Sequence, residues 1–276
     1  MLSYRHAFHA GNHADVLKHL VLVSVLDYLT RKPKPLWYVD THAGAGVYAL
    51  DRGFAAQRGE YGDGIGRLWD RSDLGTAPAA YLTLVRELNG DGPLRRYPGS
   101  PWLAQRLLRR DDRLWLHELH PADHALLTRT VGGRAVRIEQ GDGFDALRRL
   151  LPPQPRRALV LIDPPYEVKS DYDRAVTALE EGLTRFATGT YILWYPMLSS
   201  SPAEALPARL VALGEGHDWL RVQLRVRAPG PGLYGSGLFV LNPPYTLPAL
   251  LAECLAALAA LLDQGGGGFE LDSRLA

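Results

Sequence analysis

Seven short apolar runs of strand-like length recur along the chain, at 36–40, 113–118, 135–139, 158–163, 190–195, 220–226 and 237–242. Between most of them the apolar positions switch to helical spacing, at 101–110, 122–130, 144–151, 172–186 and 202–213. Short apolar runs bounded by turn residues read as strands, and i, i+3, i+4 spacing reads as helix. Alternation of the two predicts an α/β fold with a mostly parallel sheet covered on both faces. The last two strands have no helix between them. The loop Ala228-Pro229-Gly230-Pro231-Gly232 joins them, which predicts an antiparallel hairpin at the sheet edge.

Two stretches stand outside this alternation. A helix is expected near 15–30, before the first strand. About 60 residues then separate the first strand-to-helix turn from the next sheet helix. They hold a helical pattern near 79–88 and turn clusters at 59–66 and 89–93. A loop that long without structure is uncommon in a compact domain. Residues 48–97 are therefore expected to form a small helical insertion in a domain made of 1–47 and 98–276. The glycine run at 265–268 predicts a flexible turn before a short final strand or tail.

Composition adds limits. The chain has 276 residues, enough for one α/β domain with an insertion. Its 46% hydrophobic and 22% charged content is that of a soluble globular protein with a large core. No run approaches membrane-spanning length, and residues 1–20 are polar and His-rich, unlike a signal peptide. The single cysteine, Cys254, sits in an apolar helical pattern and forms no internal disulfide, which fits a reducing, cytoplasmic setting. Net charge is +1, so global charge announces no nucleic-acid partner. Arginine greatly outnumbers lysine, which suits phosphate contact and base stacking. A GC-rich genome accounts for most of that bias.

The candidate chemistry lies at strand ends. Asp163-Pro164-Pro165-Tyr166 closes the fourth strand, where ligands bind in open α/β sheets. Asp163 and the Pro164 carbonyl suit the two N–H groups of an exocyclic amine on a flat base, and Tyr166 suits stacking on its ring. The same tetrapeptide also makes a plain rigid turn, because proline fixes φ and ends a strand. Its neighbours weigh against that bland reading. Asp40-Thr41-His42-Ala43-Gly44-Ala45-Gly46 follows the first strand, and its glycines let backbone approach a ligand closely. Glu118 ends the second strand and suits a pair of ribose hydroxyls. Gly141-Asp142-Gly143-Phe144 follows the third, with Asp142 suited to an adenine amine. Each carboxylate alone passes for a helix cap; acidic ends on successive strands do not.

The amino-terminal run carries His6, His9, His13, His19 and Lys18 with Tyr4 and Phe8. His9 and His13 are spaced to share a helix face, as zinc ligands can. No Glu lies between them to act as a base, and the cysteine is remote, so no metal is expected. A cationic arm beside a cofactor fits better, with Tyr4 and Phe8 placed to stack on an unpaired base. His117, His120 and His124 surround Glu118 as structural or site-lining residues. Asn242-Pro243-Pro244-Tyr245 repeats the Asp163 tetrapeptide on the last strand. That strand should run antiparallel and deliver its end to the opposite edge of the sheet, so the repeat is read as a structural turn.

Six parallel strands closing with an antiparallel seventh resemble the Rossmann-like, class I S-adenosylmethionine (SAM)-dependent methyltransferase fold. The resemblance sharpens when several segments are taken together. They are the amino-terminal run, Thr41-His42-Ala43-Gly44-Ala45-Gly46, Tyr97-Pro98-Gly99-Ser100-Pro101, Glu118-Leu119-His120-Pro121, Asp142-Gly143-Phe144 and Asp163-Pro164-Pro165-Tyr166. Over nearly the whole chain they look like the bacterial 23S rRNA adenine-N6 methyltransferases that act on adenine 2030. The region after Leu198 matches loosely.

The resemblance implies SAM as cofactor and 23S rRNA as partner. It implies His19, His42 and Ser100 at the methionine end of SAM, Glu118 on the ribose, and Asp142 and Gly143 on the adenine. It places Asp163 on the target amine, beside the cofactor, and Tyr4 on the RNA. Pro164 and Tyr166 complete the catalytic tetrapeptide. Gly44 is expected at the cofactor, and Lys18 is a further cofactor contact inferred from its neighbour His19. No seam implies a dimer, so a monomer is expected. Rival readings are a DNA adenine-N6 methyltransferase, a non-catalytic RNA-binding module and a zinc hydrolase. The insertion has no recognisable DNA-reading motif, the glycine turn and acidic strand ends favour a cofactor, and metal content would expose the hydrolase.

Overall fold

The computed structural model describes residues 5–275. A 3₁₀ turn (His6–Phe8) precedes α1 (His13–Arg31) and β1 (Trp37–Asp40). The next segment runs β2 (Val47–Ala49), α2 (Gly53–Arg58), α3 (Ile65–Leu68), α4 (Thr76–Asn89) and β3 (Arg96–Pro98). Alternation then takes over with α5 (Ser100–Leu107), β4 (Arg113–Glu118), α6 (Pro121–Thr130), β5 (Val136–Gln140), α7 (Gly143–Leu150) and β6 (Ala158–Ile162). It continues through α8 (Ser170–Arg185), β7 (Thr190–Met197), α9 (Ser201–Leu213), β8 (Trp219–Arg227) and β9 (Gly235–Leu241). The chain ends with α10 (Leu247–Ala252), α11 (Leu255–Leu262) and β10 (Gly266–Arg274).

The main sheet has eight strands in the order β10-β8-β9-β7-β6-β1-β4-β5. β5, β4, β1, β6 and β7 are parallel, and β9 runs antiparallel between β7 and β8. This is the class I methyltransferase plan, with one addition. β10 pairs antiparallel with β8 from Gly266↔Arg227 to Arg274↔Trp219 and forms the sheet edge. The β8–β9 hairpin is therefore interior, not at the edge as its sequence predicts. The glycines at 266–268 and the polar residues that follow give β10 no apolar run to be read from.

Strand alternation splits the core. Leu159 and Leu161 of β6 join one buried cluster with α1 and Tyr38. Val160 and Ile162 join the other with α7, α8 and α9. All five β6 side chains are buried, as expected for a strand covered on both faces. α1 is capped by Asn12, whose side chain accepts from the Ala14 and Asp15 amides. Every α1 residue from His13 to Leu26 is buried. A helix so enclosed must carry its few polar groups into paired positions.

β2 and β3 pair antiparallel, so the segment between them leaves and rejoins the chain at one neck. Its α4 packs on α1, and Tyr81, Leu82 and Val85 join the α1 core cluster. Among the described residues no helix is long and apolar enough to cross a membrane.

Candidate active site

The carboxyl ends of β1, β4, β5 and β6 open onto a cavity of about 500 Å³. Asp40 does not line it but holds two residues that do, Ser100 and His42. It is fully buried and accepts from Tyr38 Oη (2.7 Å), Ser100 Oγ (2.7 Å) and the His42 amide (3.3 Å). Burial raises its pKa to about 6, against the pull of those hydrogen bonds. The turn after β1 comes next. Gly44 has φ +63°, open to glycine at little cost, and its amide donates to Glu118 Oε2 at 2.8 Å. Glu118 Oε1 accepts from the His120 amide at 2.7 Å. Burial still raises the Glu118 pKa.

Asp142 caps α7 through the Phe144 amide (3.0 Å) and accepts from Arg174 Nη2 (2.6 Å). Burial alone would raise Asp142, but Arg174 outweighs it and holds the carboxyl below its ordinary value. The same guanidinium lies 4.5 Å over the Phe144 ring. Gly143 has no room for a side chain, since a Cβ would sit 1.8 Å from the Thr41 carbonyl oxygen. His42 Nδ1 lies 2.7 Å from Thr41 Oγ1, and its ring meets Phe144 edge-on. Burial lowers His42 to about 4. His19 Nδ1 lies 2.7 Å from Tyr97 Oη, and burial lowers it to about 3. Both imidazoles are neutral at pH 7.

Lys18 reaches the site from α1. Its Nζ donates to Asp163 Oδ2 at 2.6 Å and to Asp15 Oδ1 at 2.8 Å. Asp15 Oδ2 accepts from the Gly11 amide and lies 2.9 Å from His6 Nε2. Burial alone would lower Lys18 and raise Asp15. Their mutual attraction, with Asp163 and His6, reverses both, so Lys18 is held above and Asp15 well below its ordinary value. Lys18 lines the cavity, but its ammonium is committed to these two carboxylates.

Pro164 and Pro165 line the large cavity; Tyr166 does not. Tyr166 has φ +51°, and its hydroxyl donates to the Trp194 carbonyl at 2.8 Å. Its ring borders a second cavity of about 190 Å³ with Trp194, Pro196, Leu198 and Leu233. The two cavities share His6, Lys18, Asp163 and Pro165, so they meet at the Asp163–Lys18 pair. Tyr4 lies outside the described residues. Asn242 belongs elsewhere. Leu241 pairs with Tyr191 near the start of β7, and Asn242 Nδ2 donates to the Ala187 and Gly189 carbonyls. Among the described residues, no three His, Cys, Asp or Glu side chains are grouped to hold a metal ion.

Residues 33–274 match the family model described as ribosomal RNA large subunit methyltransferase D, RlmJ. The chain belongs to this family. Two relatives, from Haemophilus influenzae and Escherichia coli K12, are each named ribosomal RNA large subunit methyltransferase J. Each is 45% identical, over 99% and 97% of this chain and 98% and 96% of the relative. The crystal structure of protein LPL1258 from Legionella pneumophila superposes with a TM-score of 0.89 at 35% identity, covering 96% of this chain and 98% of that one. Within the family the protein is a ribosomal RNA methyltransferase, and its methyl donor is SAM. The cavity fits that donor. Carboxylates on adjacent strand ends face it, two histidines in it are neutral, and its volume is that of a ligand pocket.

Sequence reading missed Asp15, Asp40 and Arg174 as site-builders, and put His6 in the amino-terminal arm without its partner Asp15. Asp40 had a signal, as the first residue of the glycine turn. The other three act through partners remote in sequence, or, for Asp15 and His6, through a helix start whose inward face the sequence does not mark.

Proposed function

We propose that the protein methylates the exocyclic N6 amine of one unpaired adenine in 23S rRNA, adenine 2030 by family resemblance. The observation that carries this reading is the junction of two cavities at Asp163. The larger takes SAM and the smaller takes the flipped base, so the amine lies where they meet. Flipping is required because a stacked base hides its reacting edge.

SAM supplies a methyl group already activated on a sulfonium, so the protein's work is positioning, which contributes several kcal/mol. Glu118 holds the ribose hydroxyls, and Asp142 with Gly143 holds the adenine. His19, His42 and Ser100 surround the methionine end, and Gly44 lets the backbone come close. Asp163 and the Pro164 carbonyl accept the two N–H groups of the target amine. That pairing draws the nitrogen lone pair out of the ring and toward the methyl. Lys18 fixes the Asp163 carboxylate, and its cofactor role is indirect. Tyr166 and Trp194 wall the base, with Tyr4 on the RNA. Residues 48–97 are an insertion in the body formed by 1–47 and 98–276, and the protein acts as a cytoplasmic monomer.

The test is methyl transfer from labelled SAM to protein-free 23S rRNA fragments, with mass mapping of the product. N6-methyladenosine at one hairpin adenine is expected. Transfer to DNA but not RNA would overturn the substrate assignment.

A further inference from the structure

Outside the two cavities, the amino-terminal turn and α2 together build an ordered run of two adjoining rings flanked by two guanidinium groups. The Arg5 guanidinium lies 4.9 Å from the centre of the Phe54 ring. Phe54 and Phe8 pack with ring centres 4.5 Å apart and planes tilted by 49°. The Arg58 guanidinium lies 5.5 Å from the centre of Phe8. Two residues come from the turn before α1 and two from α2.

Core packing does not explain this run. Ala55 is the one buried residue of α2, while Phe54 is 37% exposed and the Arg58 side chain 55% exposed. Arg58 has one distant acid, Glu60 Oε1 at 3.5 Å, and the other Glu60 oxygen takes His9 and Asn12. A guanidinium has five N–H donors, so most of those on Arg58 face solvent. The run is also continuous with the active site. Arg5 donates to Asp123 at 2.7 Å, and Asp123 lines the large cavity. His6, the next residue, lines both cavities.

We propose that this ladder seats the nucleotides flanking the target adenine. A neighbouring base packs against the exposed part of the Phe54 ring, and Arg58 takes a backbone phosphate. The assignment rests on the RNA methyltransferase reading above. Its chemistry is that of single-stranded nucleic-acid grooves, where aromatic faces hold bases and arginines track the backbone. A base pulled out of a helix leaves its neighbours without a stacking partner, and an exposed ring joined to the site through Arg5 and Asp123 replaces it.

The experiment measures RNA Kd, KM for RNA, kcat and SAM Kd for the full chain on a 23S rRNA hairpin, with F54A, F54W and R58Q beside the wild type. F54A should raise RNA Kd and KM about tenfold, the scale of one lost base–aromatic stack, with kcat and SAM Kd retained. F54W should restore them. R58Q should lower the slope of log Kd against log salt by about one, as for one lost phosphate contact. Unchanged RNA affinity in F54A would overturn the proposal. So would a fall in kcat or SAM affinity at constant KM, which would make Phe54 an anchor for the amino-terminal turn alone. A wild-type enzyme that transfers no methyl to the hairpin would overturn the RNA reading and the ladder together. Wild-type transfer with unaltered variants would overturn the ladder alone.

Discussion

Lys18 is the residue on which the site turns. One ammonium on an enclosed stretch of helix pairs with two carboxylates, Asp15 and Asp163. Breaking a buried pair leaves an uncompensated charge and costs about 3–5 kcal/mol. Lys18→Met should therefore destabilise the protein by roughly 3 kcal/mol in urea unfolding. A loss under about 1 kcal/mol would mean the pair behaves as a solvated one. Asp163→Ala tests the chemistry instead. It should retain SAM binding while methylation falls at least about 100-fold, since one positioning contact at the reacting atom is lost. Wild-type-like turnover in that variant would remove Asp163 from the reaction. Asp163, Glu118 and Asp142 were legible because each stands at the end of an apolar run. The Lys18 partnership was not, because 145 residues separate the pair and α1 is buried all round from His13 to Leu26, with no face marked as inward. The turn of Tyr166 into the smaller cavity depends on a positive φ that no pattern announces.

At the scale of elements, the cavity exists because α7 starts hard against the turn after β1. Gly143 makes that approach possible, and a Cβ there would meet the Thr41 carbonyl at 1.8 Å, far inside contact distance. Gly143→Ala must push α7 away from β1 or distort the turn. Such overpacking costs about 1–3 kcal/mol. It should also weaken SAM binding more than tenfold, since Asp142 and the 41–46 turn lose their register together, for a loss of about 1.4 kcal/mol or more in binding. Isothermal titration checks it; unchanged affinity would show that the cofactor does not depend on this seat. The strand-helix alternation of the body was legible element by element, down to β4 at 113–118. The β2–β3 ribbon was not, because three-residue strands are shorter than any pattern. β10 was foreshadowed only as a tail, because its stability comes from the β8 ladder and not from its own apolar positions.

For the molecule as a whole, the balance of buried titrating groups predicts how the fold responds to acid. His13, His19 and His42 are lowered by burial from 6.5 to about 4, 3 and 4. As pH falls below 6.5, the unfolded chain takes up protons that the folded chain refuses. Each such histidine removes about 1.4 kcal/mol of stability per pH unit until its folded value is reached. Asp40 works the other way. Burial raises it from 3.8 to about 6, so the folded state binds its proton first, and acidification between 6 and 3.8 adds stability. Three losses against one gain leave a net deficit of about two protons near pH 5, before smaller shifts on other groups. Unfolding free energy should thus drop steadily from pH 7 toward 4.5. Two variants separate the contributions by sign. His42→Gln should make the pH slope shallower by about one proton, and Asp40→Asn should make it steeper by about one. Urea unfolding at half-unit pH steps reads both slopes. If Asp40→Asn left the slope unchanged or shallower, the buried carboxyl would not be the proton acceptor assigned to it, and Asp40 would carry a charge at pH 5 that its burial does not favour.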